Sequence, residues 1–338
     1  MEQPLVYYPD YLQLDKIVSA QKLESDRTEL GRTRAHDELL FIVIHQAYEL
    51  WFKQILHEVG SVMDIFSDGH VDDNSGELSI AVHRMERVNT ILQVLVHQLN
   101  ILGTMTPLDF LDFRNMLRGA SGFQSTQFKV LEATLGLRME QRHGKQYYTS
   151  QLHPEHKAMI DALEGRPTLL DHVNAWLERM PFLDPKYWPG EPSFFEHLKA
   201  AYERSLMPEE KGNMKAWAER FEQNAPGRRL SAAAARNAMF IMLYRDEPIF
   251  QQAFRFLDAL LNTDEHMATW RSRHLSMVRR MIGMRMGTGG STGSGYLKGA
   301  LDSHYIFNEI AELSSFLIER RELPALPDTL RNVMRFGN

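Results

Sequence analysis

No cysteine occurs in the 338 residues. That absence removes disulfides, zinc–thiolate sites, iron–sulfur clusters and thiol nucleophiles together, so any metal must be held by histidine or carboxylate. Long apolar runs are missing as well. The longest, Ala238 to Tyr244, falls far short of the roughly 20 residues that span a bilayer. The opening stretch MEQPLVYYPDYLQLDK has the design of neither a signal nor a transit peptide, so a cytoplasmic location with no membrane partner is expected. There is no basic excess: 38 Lys and Arg stand against 44 Asp and Glu, a net charge of -6. The cations are scattered, which leaves nucleic acid without its electrostatic footprint and favours a small neutral or zwitterionic ligand. Metal-binding spacings are scarce too. There is no H-E-x-x-H, and the one E-x-x-H, Glu140 to His143, is half of what a di-iron bundle needs. The pair His153 and His156 sits in a polar, proline-bearing turn, so the sequence argues against non-haem iron.

Period-2 alternation is absent, and helical spacing dominates. The fold is predicted to be all-α. One helix is expected from about His36 to Asp64 and a second from Glu77 to Leu102, with SDGHVDDNSG between them. TMTPLDFLDF opens a third, with Thr106 as cap, Pro107 in the first turn and Asp109 three residues past the cap. It runs to about Leu117, GASGF breaks it, and QSTQFKVLEATLGL starts another that ends near Gly136. Residues 138–228 carry more charge, more proline and shorter helical patterns, and read as a peripheral helical insertion. Core helices resume at Ser231, bend at Pro248 and continue to about Ile282. Residues 283–296 hold six glycines, a glycine-rich loop before a last helix near 297–319. The whole, 1–338, reads as a single domain with an N-terminal arm of residues 1–20.

Few residues in this scheme have chemistry to offer, and each has two readings. His45 lies in LLFIVIHQAYELWF, on one stripe with Phe41, Tyr48 and Phe52. It is either a core histidine with a satisfied hydrogen bond or a group facing a ligand. Arg114 follows Phe110 by one helical turn, pairing an apolar wall with a planar fork suited to a carboxylate; the alternative is a surface salt bridge with Asp109, Asp112 or another acid. His274, in WRSRHLSMVRRMIG, is either a histidine on a basic helix face or the single imidazole that a haem needs from a protein. GTGGSTGSG lacks the lysine and the preceding strand of a phosphate loop. It reads as a mobile lid offering the Thr288 hydroxyl and backbone N–H groups, or as a plain connection.

The stretches YYPDYLQLDKIVSAQKLES, HDELLFIVIHQAYELWFKQILHE, TPLDFLDFRNMLRGASGFQSTQF, LYRDEPIFQQAFRFLDALL, WRSRHLSMVRRMIG and GTGGSTG together resemble the tryptophan 2,3-dioxygenase family. They stand in the family's order and cover nearly the whole chain, with the middle segment loosely matched. The resemblance implies an all-α helical-bundle haem protein, a cytoplasmic homotetramer. Its reaction would be cleavage of the indole C2–C3 bond of L-tryptophan by O2, giving N-formylkynurenine, the first step of the kynurenine pathway. The cofactor implied is haem b, active as Fe2+. By the same resemblance His274 is the axial ligand of the haem iron and His45 the distal residue that meets the indole N–H. Phe41 and Phe110 wall the indole, and Arg114 holds the substrate carboxylate. Ser121, Gly287 and Gly289 border the cofactor. Thr288 contacts the substrate's charged end, and Tyr8 and Tyr11 reach a neighbouring subunit's active site. Two departures, Leu39 in HDEL where the family often has histidine and a lid without an aromatic residue, keep an alternative open: a haem monooxygenase of secondary metabolism acting on a substituted tryptophan.

Overall fold

Ile44, Tyr48, Phe52, Ile55, Val59, Val62 and Phe66 recur at intervals of three or four, so one helix presents them all on a single buried face. The rest of the fold supplies what that face packs against. In the computed structural model, residues 5–27, 34–67, 69, 71, 76–117, 119–144, 147–188, 193–283, 285, 287 and 294–334 are described. Two short helices, α1 (Tyr8–Leu12) and α2 (Leu14–Val18), precede the long α3 (Glu38–Ser67) and α4 (Gly76–Leu102). Then come α5 (Pro107–Arg114), α6 (Thr126–Leu135) and the one-turn α7 (Tyr147–Ser150). The middle of the chain forms α8 (Pro154–Glu164), α9 (Leu169–Glu178), α10 (Phe194–Ser205) and α11 (Asn213–Phe221). The chain returns through α12 (Ala232–Leu243), α13 (Gln251–Ile282), α14 (Ser294–Ser303), α15 (Asn308–Ala311) and α16 (Asp328–Met334). There is no strand among the described residues, as the sequence leads one to expect. Nor is any described helix long and apolar enough to cross a membrane.

Helix α4 packs against both α3 and α13. Polar groups fix the contact where a slipped register would leave them unpaired. Asn89 donates to the Ala259 carbonyl at 2.9 Å and accepts from the Thr263 hydroxyl at 2.9 Å, and the Tyr48 hydroxyl donates to the Leu95 carbonyl at 2.7 Å. Phe66, Trp176 and Phe256 meet ring to ring, which ties α9 from the middle segment to α3 and α13. At the end of α6, Gly136 has φ 140°, and a Cβ there would lie 3.0 Å from that of Leu170, so only glycine fits. No residue of α1 or α2 is buried.

Two expected elements come out differently. The bend at Pro248 is a full interruption: α12 ends at Leu243, a 3-10 turn spans Pro248–Phe250, and α13 starts anew. The helix expected over 297–319 breaks after Ser303, because the buried Asp264 carboxylate accepts the N–H groups of Ile306 and Phe307. A continuous helix would bond those groups to the carbonyls four residues back.

Candidate functional site

A cavity of about 310 Å³ opens between α3, α5, α6, α13 and α14, within the size range of small-molecule sites. From α3 come Phe41, His45, Tyr48, Glu49 and Phe52, the stripe just described continued toward the helix start. Helix α5 brings Phe110 and Arg114. Its start is fixed by the expected capping box: the Asp109 N–H donates to the Thr106 hydroxyl, and the Thr106 N–H donates to the Asp109 carboxylate at 2.8 Å. The Asp109 carboxylate is thus committed to the cap. Ser121 lines the cavity from a 3-10 turn, where its hydroxyl accepts the Phe123 N–H at 3.3 Å. Trp270, His274, Met277 and Met281 project from α13, and Gly287 and Tyr296 from the following segment. Thr288 and Gly289 lie outside the described residues. Tyr8 and Tyr11 are exposed and line no part of the cavity.

Phe41 is the hub of the aromatic wall. Its ring centroid lies 4.2 Å from that of His45, 5.9 Å from Phe110 and 5.5 Å from Phe113. The His45 Nδ1 is 2.7 Å from the Phe41 carbonyl. A carbonyl can only accept, so Nδ1 carries the proton and Nε2 keeps its lone pair. Burial lowers the His45 pKa below its ordinary 6.5, against smaller opposing effects of the Phe41 carbonyl and Glu49. The imidazole is therefore neutral at pH 7, with one nitrogen ready to accept a hydrogen bond.

His274 stacks on Trp270, one turn earlier on α13, with centroids 5.0 Å apart. Burial, helped by repulsion from His45, pushes its pKa down to about 4. Its Nδ1 is buried and has no hydrogen-bond partner among the described residues. A neutral imidazole with an unmatched nitrogen, on an otherwise apolar cavity wall, is the donor that a haem iron takes as its one protein ligand, so these residues fit that group. No three His, Asp or Glu side chains are grouped to hold a metal among the described residues.

Several cavity residues went unread in the sequence. Trp270 is the nearest miss, since an aromatic residue four before His274 shares its helix face. Lys129, Glu132, Tyr148, Arg271 and His304 also line the cavity. Each is charged, or lies in a polar stretch, and alone reads as surface. Tyr148 comes from the beginning of the middle segment, so that segment supplies part of the wall.

These features define a class: an all-α protein with a largely apolar pocket, walled by aromatic rings, that imidazole and guanidinium side chains also line. Comparison with known proteins narrows it. The family profile described as tryptophan 2,3-dioxygenase matches residues 1–225 and 209–317. Tryptophan 2,3-dioxygenase of Bdellovibrio bacteriovorus is 40% identical, over 99% of this chain and 99% of its own. That of Alteromonas mediterranea is 40% identical over 98% and 97%, and that of Rattus norvegicus 39% over 94% and 84%. The chain belongs to the tryptophan 2,3-dioxygenase family.

Proposed function

We propose that the protein is a cytoplasmic, haem-dependent dioxygenase that cleaves the indole C2–C3 bond of L-tryptophan with O2 and gives N-formylkynurenine. The observation that carries this reading is the pair of neutral imidazoles, His45 and His274, lining one aromatic cavity with Arg114. His274 holds the haem iron. When bound, haem b supplies the redox-active iron at which O2 reacts with the indole. Phe41 and Phe110 wall the indole and keep water from it. Arg114 grips the amino acid's carboxylate with its planar fork, and Thr288 contacts the same charged end. Ser121, Gly287 and Gly289 border the cofactor. His45 accepts the indole N–H at Nε2, which orients the ring and can take its proton. The exposed arm, with Tyr8 and Tyr11, fits a homotetramer in which it completes a neighbour's site.

The test is reconstitution with haem, anaerobic reduction, and addition of L-tryptophan with isotopically labelled O2. N-formylkynurenine carrying two labelled oxygens is expected. A product with one labelled oxygen overturns the reading in favour of monooxygenation, and no turnover overturns it altogether.

The size of the His45→Ala effect separates its two roles. A proton acceptor in the rate-limiting step contributes about 10²- to 10⁴-fold, whereas a hydrogen-bond partner alone is worth about 1 kcal/mol, several-fold in kcat/KM. Since the folded pKa lies below 6.5, the acid limb of wild-type kcat/KM should also fall below that pH, where Nε2 gains its proton. The residual activity of His45→Ala should lack that limb. A limb unchanged in the variant would exclude His45 as its source.

A further inference from the structure

The roles above leave unused a buried charge cluster on the α6 and α13 side of the cavity. Glu132 of α6 accepts from Arg142 at 2.7 Å on one carboxylate oxygen and from Arg271 at 2.7 Å on the other. Against burial, which would raise it, the adjacent His304 imidazole and the charges of Arg142 and Arg271 hold the Glu132 pKa well below its ordinary value. His304 adds no charge: its Nε2 accepts the His143 N–H at 3.0 Å, so its proton sits on Nδ1, 3.5 Å from Glu132. The one carboxylate is thus already shared by two guanidiniums. Glu164, near Tyr148, accepts the Met139 N–H on one oxygen, and its other oxygen is buried with no hydrogen-bond partner among the described residues, so it forms no ion pair with Arg142, Arg271 or Lys129.

Lys129, one turn before Glu132, is a third cation. It is only 5% exposed and has no ion-pair partner among the described residues. Its Nζ lies 4.3 Å from the centroid of the Tyr148 ring, which also carries the Arg142 guanidinium at 3.7 Å. Burial pulls its pKa down to about 8, which leaves it mostly protonated at pH 7. Three cations therefore share one carboxylate in a place where uncompensated charge is costly. Lys129, Glu132, Tyr148, Arg271 and His304 all line the cavity, so the missing anion can reach them from that side.

We infer that Lys129, backed by Arg271 and the Tyr148 ring, is the seat of a carboxylate belonging to the cofactor, a haem propionate. The inference rests on the haem reading above. The cofactor is favoured over the amino acid by placement. Arg271 sits one turn before His274 on α13, whereas Phe41, Phe110 and Arg114 belong to α3 and α5 and already include a guanidinium for a substrate carboxylate. The two propionates are the acidic groups of haem b, and the cluster's surplus charge has the matching sign.

Haem b and its dimethyl ester, which keeps iron and macrocycle but has no free carboxylate, provide the test. Loss of each porphyrin from reconstituted protein to excess apomyoglobin is timed. For haem b, Lys129→Met should lose the cofactor about ten- to a hundredfold faster, the worth of a hydrogen bond between charged groups. For the dimethyl ester the variant and wild type should match, and Lys129→Arg should restore slow loss of haem b. Thermal stability of the apoprotein should not fall in Lys129→Met, because an unpaired buried cation has been removed. Equal acceleration for both porphyrins, no acceleration, or a less stable apoprotein overturns the inference. So does a raised Kd for L-tryptophan with haem loss unchanged, which would assign the carboxylate to the amino acid. Wild-type protein that takes up neither porphyrin overturns the haem reading itself, an outcome seen in the control before any variant is compared.

Discussion

His274→Ala is expected to leave a folded helical protein that retains no haem: the Soret band should be absent after reconstitution and desalting, turnover of L-tryptophan should be lost, and far-ultraviolet circular dichroism should be unchanged. Loss of the cofactor follows from the ligand count. With no cysteine and no grouped metal ligands among the described residues, the iron ligand must be a single side chain, and His274 is a buried imidazole held neutral on the cavity wall. Retention of the helix follows from the neighbours, since Arg271 and Leu275 of α13 are buried whatever stands at 274. Truncation also removes a ring stacked on Trp270 and leaves a pocket where the imidazole was. Exogenous imidazole should enter that pocket and restore a Soret band, a rescue that mere destabilisation of the fold would not show. A variant that keeps its full complement of haem without added imidazole would defeat the axial assignment.

How far the chain could be read before folding depends on the range of the interaction involved. Helices α3, α4 and α13 were legible because their buried faces repeat every three or four residues. The start of α5 was legible because its cap is three residues long. The break after Ser303 was not, since Asp264, about forty residues earlier, takes the N–H groups of Ile306 and Phe307. The site divides the same way. Phe41 and His45, or Phe110 and Arg114, stand one turn apart and advertise a shared wall. Glu132 and Arg142, ten residues apart, meet Arg271 and His304 from the far end of the chain, and each alone carries the signature of a solvated residue. Only their assembly shows that the charges are buried, and only then does Lys129 stand out as a cation with no ion pair of its own among the described residues.

Arg114→Ala is expected to raise the Kd for L-tryptophan by more than a hundredfold, about 3 kcal/mol or more, the loss on leaving a buried carboxylate unpaired. Haem uptake should be unaffected, since the proposed iron ligand, His274, comes from α13 and not from α5. The helix itself should survive. Its cap at Thr106 and Asp109 is at the far end, and Phe113, 0% exposed, anchors the last turn. The sequence left a salt bridge with Asp109 as one rival role for this arginine; one oxygen of that carboxylate is taken by the Thr106 N–H and hydroxyl. Tryptamine, which keeps the indole and the ammonium but lacks the carboxylate, isolates the effect: wild type and variant should bind it alike. Arg114→Lys restores the charge without the planar two-point fork and should recover only part of the affinity. If L-tryptophan binds Arg114→Ala as tightly as wild type, or if tryptamine binding falls by the same factor, Arg114 shapes the pocket without holding the carboxylate.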